Sequence, residues 1–413
     1  MTLVCFVAIS ASLPISWISL AKLLFFVSGL LYLVTNQMKK QSDSVLTSFW
    51  TPSVVISILL AFSLSLLWTS SDQDVALMAL VKHSKLLEIL LLIGLIRTKQ
   101  EARLAITTFA AAQAFLLLSS WLMAIGIPIP WATSAGFKNV VFSTYLDQSI
   151  IFAATASVFW HLQKEQLFPR WLAVLLAIAA LVNVFLLLEG RTGYAVALVV
   201  LSLSVMWAMP KRLRLVTLIG TPIIAVFILY FGSVQVQDRL SKVVNEVQNY
   251  GHEGSNESSS GWRLNAWYRS VQAMNESPWH GHGVGSWTMT VKRLEGSAAT
   301  QVFGSAKASN PHQEYLLWGV ELGILGILLL ISLIVSLIRD AMQFSTPIAR
   351  AMMSVVAAMA VACMFNSTLY DALIGDYFCI TLGLLFALGA RSMSTTQQPI
   401  PSTPELKQLK AAA

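Results

Sequence analysis

Long apolar runs separated by short polar connections occupy most of this chain. A run of about 20 apolar residues is the length that an α-helix needs to cross a bilayer. The pattern therefore predicts an all-α, polytopic membrane protein with about twelve transmembrane helices. The predicted helices cover residues 3–19, 23–38, 53–70, 75–96, 104–126, 147–163, 170–189, 193–209, 214–232, 313–338, 349–370 and 373–390.

One connection, residues 233–312, is much longer and more polar than the others. Its Gly- and Ser-rich middle is typical of a mobile segment, and a helical period follows from Trp262 to Asn275. The apolar positions of that helix share one stripe: Leu264, Trp267, Val271 and Met274. We expect this amphipathic helix to lie at the membrane interface and to end at Pro278 and the glycines that follow.

These patterns divide the chain into four parts. Residues 1–232 hold nine transmembrane helices, 233–312 the large loop, 313–390 three more transmembrane helices, and 391–413 a polar tail. The tail is rich in Ser, Thr, Pro and Gln, which predicts disorder.

Composition and charge placement refine this picture. The chain is 56% hydrophobic and 11% charged, which excludes an ordinary soluble protein and a disordered one. Lys and Arg collect in the connections on one side of the predicted membrane, while the short connections on the other side hold only Lys22, Lys138 and Arg191. The positive-inside rule then places both termini in the cytoplasm and the large loop outside.

Charged residues near the outer ends of membrane spans are candidates for function because they are costly there. Lys82 and Lys85 share one face of the fourth predicted span. They either snorkel to the interface or pair with a carboxylate such as Asp72, Asp74 or Asp147, or they line an outward-facing cavity that attracts anions. Arg191 lies in what we interpret as a tight turn between Gly190 and Gly193. It is either a chance surface charge or a guanidinium suited to a diphosphate.

The segment Asn310-Pro311-His312-Gln313 has the sequence of a helix start. Asn310 suits the N-cap, Pro311 the first helical position, and Gln313 the capping box. His312 would then lie in the first turn, where the helix dipole disfavours imidazolium and keeps the ring neutral. It is either a residue of the cap without chemistry or a neutral group that accepts a proton.

Other chemistry is weakly supported by the sequence. His280 and His282 flank Gly281, but no Cys or carboxylate at ligand spacing accompanies them, so we predict no metal site. The three cysteines lie in apolar runs and form no disulfide framework. The sequence has no nucleotide-binding loop or nucleophile elbow, and it predicts no cofactor and no nucleic-acid partner.

Four features stand together in this chain. They are the spans with one large loop, Arg263-x-x-x-Trp267, Pro278 with Gly283-Val284-Gly285, and His312 followed by Glu321-Leu322-Gly323-Ile324-Leu325-Gly326. Together they resemble the O-antigen ligase/polymerase superfamily of bacterial lipopolysaccharide assembly. The family commonly has Asn after the His, where this chain has Gln313. The family's essential arginines and histidine correspond to Arg191, Arg263 and His312. From position we add Arg269, Lys82 and Lys85 as further diphosphate ligands.

The resemblance implies an O-antigen ligase of the bacterial inner membrane with a periplasmic active site. Such an enzyme transfers a glycan from undecaprenyl diphosphate to a sugar hydroxyl of lipid A–core, without metal and with inversion, amid membrane lipids. Two alternatives share this chemistry with another acceptor: an O-antigen polymerase and a protein O-oligosaccharyltransferase. A third alternative is a transporter of lipid-linked glycan, although the chain shows no symmetry between its halves.

Overall fold

The computed structural model describes residues 1–34, 43–134, 137–232, 259–295 and 310–396, with a few isolated positions between 237 and 248. This part of the chain is helical and contains no strand. The first helices are α1 (Thr2–Ser10), α2 (Ile15–Val34), α3 (Asp43–Ser48), α4 (Trp50–Ser65), α5 (Gln73–His83), α6 (Leu87–Leu95), α7 (Lys99–Ala124) and α8 (Tyr145–Leu162). They are followed by α9 (Arg170–Leu186), α10 (Arg191–Ala208), α11 (Arg214–Gly232), α12 (Ser259–Glu276), α13 (Trp287–Glu295), α14 (Glu314–Leu322), α15 (Ile324–Ala341), α16 (Thr346–Phe365) and α17 (Ala372–Thr396).

The centre of the helical assembly is formed by α8, α16 and α17. Helix α8 packs against α9, α10 and α16, while α17 packs against α6, α7 and α16. Nearly every residue of α8 is buried, and so is most of α17. By contrast, α11 has no buried residue and contacts mainly α10. The apolar outer faces of the peripheral helices are what a surrounding bilayer requires.

Six helices in the described ranges are long and apolar enough to cross a membrane. They are Lys99–Ala124, Arg191–Ala208, Lys211–Gly232, Ile324–Ala341, Thr346–Phe365 and Ala372–Met393. Shorter apolar helices cover Ile15–Gly29, Trp50–Ser65 and Arg170–Leu186. The chain is therefore a polytopic membrane protein, but the predicted number of twelve spans is not confirmed.

The predicted spans are divided differently at three places in the structure. The boundary expected between residues 19 and 23 falls inside α2, and the chain breaks earlier, around Pro14. The fourth span is interrupted by a 3₁₀ turn over Ser84–Leu86. The tenth span is broken at Gly323, whose φ of 67° ends α14. Apolarity alone cannot reveal such breaks, because the residues on both sides are equally hydrophobic.

The large loop and the tail also differ in part from expectation. Helix α12 covers the predicted amphipathic helix, but the indole of Trp267 donates to the Pro311 carbonyl and Met274 packs at Gly319. Trp267 and Met274, two of the four residues of the predicted stripe, thus contact protein. Helix α17 continues to Thr396, so the first tail residues are helical, while 397–413 and the Gly- and Ser-rich stretch 251–258 lie outside the described residues.

The glycine-rich run after α12 joins three parts of the chain. Gly281, Gly283 and Gly285 all have positive φ. The amides of His282 and Gly283 donate to the carbonyls of Val320 and Glu321 at 2.9 Å, and the Ser70 amide donates to the His282 carbonyl at 2.9 Å. The run therefore fixes α12 against the C-terminal end of α14 and the connection between α4 and α5.

Replacing Gly283 with alanine should destabilise this junction. A Cβ there would lie 2.3 Å from the Thr69 Cα, and φ is +87°. We expect the free energy of unfolding to fall by about 2–4 kcal/mol, measured as a lower Tm in detergent. Gly220→Ala is the matched control because nothing lies within 4 Å of its added Cβ. Equal Tm values for the two variants would contradict this account.

Candidate functional site

His312 lies in a short loop immediately before α14. Helix α14 begins at Glu314 with Gln313 as its N-cap, since the Gln313 Oε1 accepts the Leu316 amide at 2.6 Å. The predicted N-cap at Asn310 is therefore wrong, and His312 is not in the first turn. The Asn310 Oδ1 accepts the His312 amide at 2.9 Å instead. This contact stabilises His312 at a φ of 50°, a region that few non-glycine residues adopt.

The His312 ring is held between α12 and the end of α16. The Trp262 ring meets it edge-on at a centroid distance of 5.2 Å. The pKa of His312 is lowered to about 4, first by burial and then by the positive charge of Arg263, against an opposing hydrogen bond with Asn366. The ring is therefore neutral, as predicted, but the cause is burial beside a cation rather than the helix end. Among the described residues, its buried Nδ1 has no hydrogen-bond partner.

A second group of charges lies around Asp371, on the turn between α16 and α17. The Asn310 Nδ2 donates to the Asp371 Oδ1 at 3.4 Å, which links this turn to the His312 loop. The pKa of Asp371 is raised to about 6, first by burial and then by the charge of Asp147, against the opposing charges of Lys85 and Lys82. Both predicted lysines thus lie near the loop that carries His312.

The two lysines have different environments. The Lys82 ammonium lies 4.1 Å from the centroid of the Tyr370 ring and is half-buried. Lys85 is 1% exposed, and its ammonium donates to the Asp371 carbonyl at 2.6 Å. It also lies 3.9 Å from an Asp376 carboxylate oxygen. Lys85 therefore holds the turn after α16 in place, and Lys82 is the one more accessible to a ligand.

One neighbouring prediction is corrected here. Lys22 was expected in a connection between the first two spans but lies within α2, and its ammonium pairs with the buried Asp376 at 2.9 Å.

Arg191 is the first residue of α10. A Cβ on Gly190 or Gly193 would lie 2.0 or 2.2 Å from the Ser149 Oγ of α8. Gly190 has a φ of −77° and Gly193 is helical, so the predicted tight turn between them does not form. The glycines are needed because α8 and α10 approach closely. This approach puts Arg191 beside the end of α8 that carries Asp147, whose charge acts on Asp371.

Arg269 points to a different neighbour. Its Nε lies 3.8 Å from the Glu295 Oε1 on α13, and its Nη1 donates to the Gln272 Oε1 at 2.8 Å. The structure thus brings Arg263 and His312 together and directs Arg269 towards α13. Asn310 links the loop that carries His312 to the two lysines.

One supporting contact was not predicted. Glu321 is buried, and its Oε1 accepts the Gly285 amide at 2.8 Å while its Oε2 lies 3.0 Å from the His83 Nε2. The carboxylate ties α14 to the glycine-rich run and to α5. A carboxylate inside an apolar run is the sequence signal that could have indicated a buried partner. His83 stacks on Phe62 and belongs to the same packing.

The predicted absence of a histidine metal pair can be compared with the geometry. The His282 Nε2 lies 2.8 Å from the Ala273 carbonyl, and His280 is exposed. Within the described ranges, no three His, Cys, Asp or Glu side chains are grouped so that they could hold a metal ion.

Residues 172–331 match the family model described as O-Antigen ligase. The resemblance to the O-antigen ligase superfamily is confirmed. At the family level this match supports a membrane glycosyltransferase of the O-antigen ligase/polymerase type. The matched region runs from α9 into α15 and includes Arg191, Arg263, Arg269 and His312. No curated protein matches the chain.

Proposed function

We propose that this chain is an O-antigen ligase, which transfers a glycan from undecaprenyl diphosphate to a sugar hydroxyl of lipid A–core at the periplasmic face of the inner membrane. The observation that carries the proposal is the neutral, half-buried imidazole of His312 beside Arg263, within the region that matches the ligase family. A neutral base next to a cation suits a reaction in which a hydroxyl attacks and a diphosphate leaves.

The donor diphosphate is bound by Arg191 and Arg263, with Lys82 as a further cation. A guanidinium group binds phosphate oxygens through two parallel hydrogen bonds. It stabilises the negative charge that grows as the diphosphate departs. Lys85 supports the turn that carries Asp371, and Arg269 supports α13, so we leave both out of the proposed clamp. The lipid tail stays among the membrane lipids beside the apolar outer helices.

His312 receives the proton of the acceptor hydroxyl. The hydroxyl oxygen forms a bond to the anomeric carbon of the donor sugar while the bond from that carbon to the diphosphate oxygen breaks. The electron pair leaves with the undecaprenyl diphosphate, and the anomeric centre inverts. His312 later releases its proton to the diphosphate or to water. The negative diphosphate, when bound, favours the imidazolium and so opposes the effect of Arg263 on the ring.

The activity is tested with the purified full-length chain in lipid nanodiscs. Lipid-linked O-antigen is supplied with lipid A–core, with a second lipid-linked repeat, or with a Ser-containing acceptor protein. Products on lipid A–core support the ligase. Products on the second lipid-linked repeat support the polymerase, and products on the acceptor protein support the protein oligosaccharyltransferase. We expect a chelator to leave the rate unchanged. Movement of lipid-linked glycan across proteoliposomes without any new glycosidic bond would instead indicate a transporter.

The pH dependence of transfer should reflect the lowered pKa of His312. A histidine with a pKa of about 4 stays neutral well below pH 6.5, so kcat/KM should not decline with the ordinary histidine pKa. The Arg263→Gln variant removes a charge that disfavours imidazolium, so its acidic limb should move to higher pH. Asp371→Asn removes the carboxyl with a pKa of about 6 and identifies any limb due to that group. Superimposable profiles for wild type and Arg263→Gln would contradict the assignment.

A further inference from the structure

A polar cavity of about 450 Å³ lies at the connection that leads into α10. It is formed between the connection from α7 to α8 and the connection from α9 to α10. Its wall includes Phe137, Lys138, Asn139, Tyr145, Leu187 and Glu189. Glu189 is two residues before Arg191, and the Tyr145 carbonyl lies 3.1 Å from the Cβ that Gly190 would carry. The cavity and the arginine therefore share the same meeting point of α8 and α10.

The floor of this cavity is held rigidly by buried hydrogen bonds. Asn139 has a φ of 63°, and its carbonyl accepts hydrogen bonds from the Ser120 hydroxyl at 2.7 Å and the Gln148 amide at 3.0 Å. The Asn183 amide donates to the Ser120 hydroxyl at 3.1 Å. Side chains from helices α7, α8 and α9 thus form one hydrogen-bonded network beneath Asn139. A wall that is fixed before a ligand arrives loses little entropy when the ligand binds.

The groups around the cavity fit a sugar. The Phe137 and Tyr145 rings pack edge-to-face at 5.5 Å, and Phe137 is 42% exposed. Aromatic rings pack against the C–H faces of pyranoses. Lys138 and Glu189 supply an ammonium and a carboxylate of opposite sign. Together they suit a ligand that carries hydroxyl groups better than a ligand that is strongly charged. The volume lies in the range of about 300–1,000 Å³ that is usual for small-molecule sites.

We propose that this cavity is a saccharide-binding subsite, which holds one hydroxyl-rich sugar next to the diphosphate at Arg191. The inference rests on the proposed function for the position of that diphosphate. The sugar belongs either to the donor, next to its diphosphate, or to the acceptor that carries the attacking hydroxyl.

Steady-state transfer by the full-length protein distinguishes the two sources. The variants are Phe137→Ala, Lys138→Gln and Glu189→Gln, each measured with donor varied at saturating acceptor and then the reverse. Loss of one aromatic or charged contact should raise KM for one substrate about 5- to 10-fold and leave the other within about twofold. A higher KM for lipid A–core assigns the subsite to the acceptor, and a higher KM for the lipid-linked glycan assigns it to the donor.

Trp171→Ala and Lys164→Gln are the matched controls, because both side chains are exposed and lie far from Arg191 in the sequence. Unchanged KM values for both substrates in all three cavity variants would overturn the subsite and leave the ligase function standing. If the wild type transfers no glycan, binding decides the matter. Saturation-transfer NMR with lipid-free core oligosaccharide, and with undecaprenyl diphosphate bearing one sugar, should then show contacts that Phe137→Ala removes. Equal signals from wild type and variant for both probes would also overturn it.

Discussion

Replacing His312 should reduce glycan transfer by about 10²–10⁴-fold, the usual contribution of a positioned general base. The loss is expected mainly in kcat, because the imidazole acts on the attacking hydroxyl and not on the donor diphosphate. His312→Asn is the preferred variant, since Asn also tolerates the left-handed φ of 50° observed at this position. The rate is measured with purified protein, lipid-linked glycan and lipid A–core.

The matched control for this experiment is His280→Ala. His280 is an exposed histidine on the connection after α12, outside the proposed clamp. We expect it to keep the wild-type rate. Normal transfer by His312→Asn protein that retains the wild-type Tm would remove His312 from the chemistry and leave it as a loop residue.

Replacing either Arg191 or Arg263 with alanine should reduce transfer by about 10²–10³-fold, the usual cost of losing one group that stabilises a developing charge. Both arginines are proposed to hold the diphosphate that accumulates charge as it departs. Lysine at either position should restore only part of the rate, because an ammonium cannot reproduce the paired hydrogen bonds of a guanidinium. Single-turnover rates at saturating donor report the chemical step directly.

Arg212→Ala provides the control for charge removal. Arg212 is exposed and follows the opposite end of α10 from Arg191. Its loss should leave the rate unchanged. Full activity in Arg191→Ala and Arg263→Ala, with wild-type Tm values, would show that the diphosphate binds elsewhere.

Local sequence patterns predicted the helical elements well where an element depends on neighbouring residues. Helix α12 was expected from the period between Trp262 and Asn275, and the structure has it over Ser259–Glu276. The glycines at 281, 283 and 285 were expected to end a helix, and each has positive φ. The start of α14 was placed too early, since Asn310 and Gln313 are both good caps. In the structure the Asn310 side chain contacts Asp371, 61 residues away, and the His312 amide, and Gln313 is the N-cap.

Long-range contacts account for what the sequence did not predict. Lys82 and Lys85 are three residues apart and looked equivalent, yet one lies over the Tyr370 ring and the other is enclosed by the turn before α17. Arg263 and Arg269 are six residues apart on α12, and one acts on His312 while the other meets Glu295. Which cation remains available to a ligand depends on the helices that pack around it.

The amino-acid sequence by itself determined that this is a polytopic helical membrane protein, because hydrophobic length and period are properties of consecutive residues. It also indicated the resemblance to the O-antigen ligase superfamily, since the motif residues between Arg191 and Gly326 lie within the matched region. Only the tertiary structure decided that His312 is neutral through burial beside Arg263, and that Gly190 and Gly193 serve close packing against Ser149. Desolvation and steric contact depend on residues far away in the chain, so no local pattern could specify them.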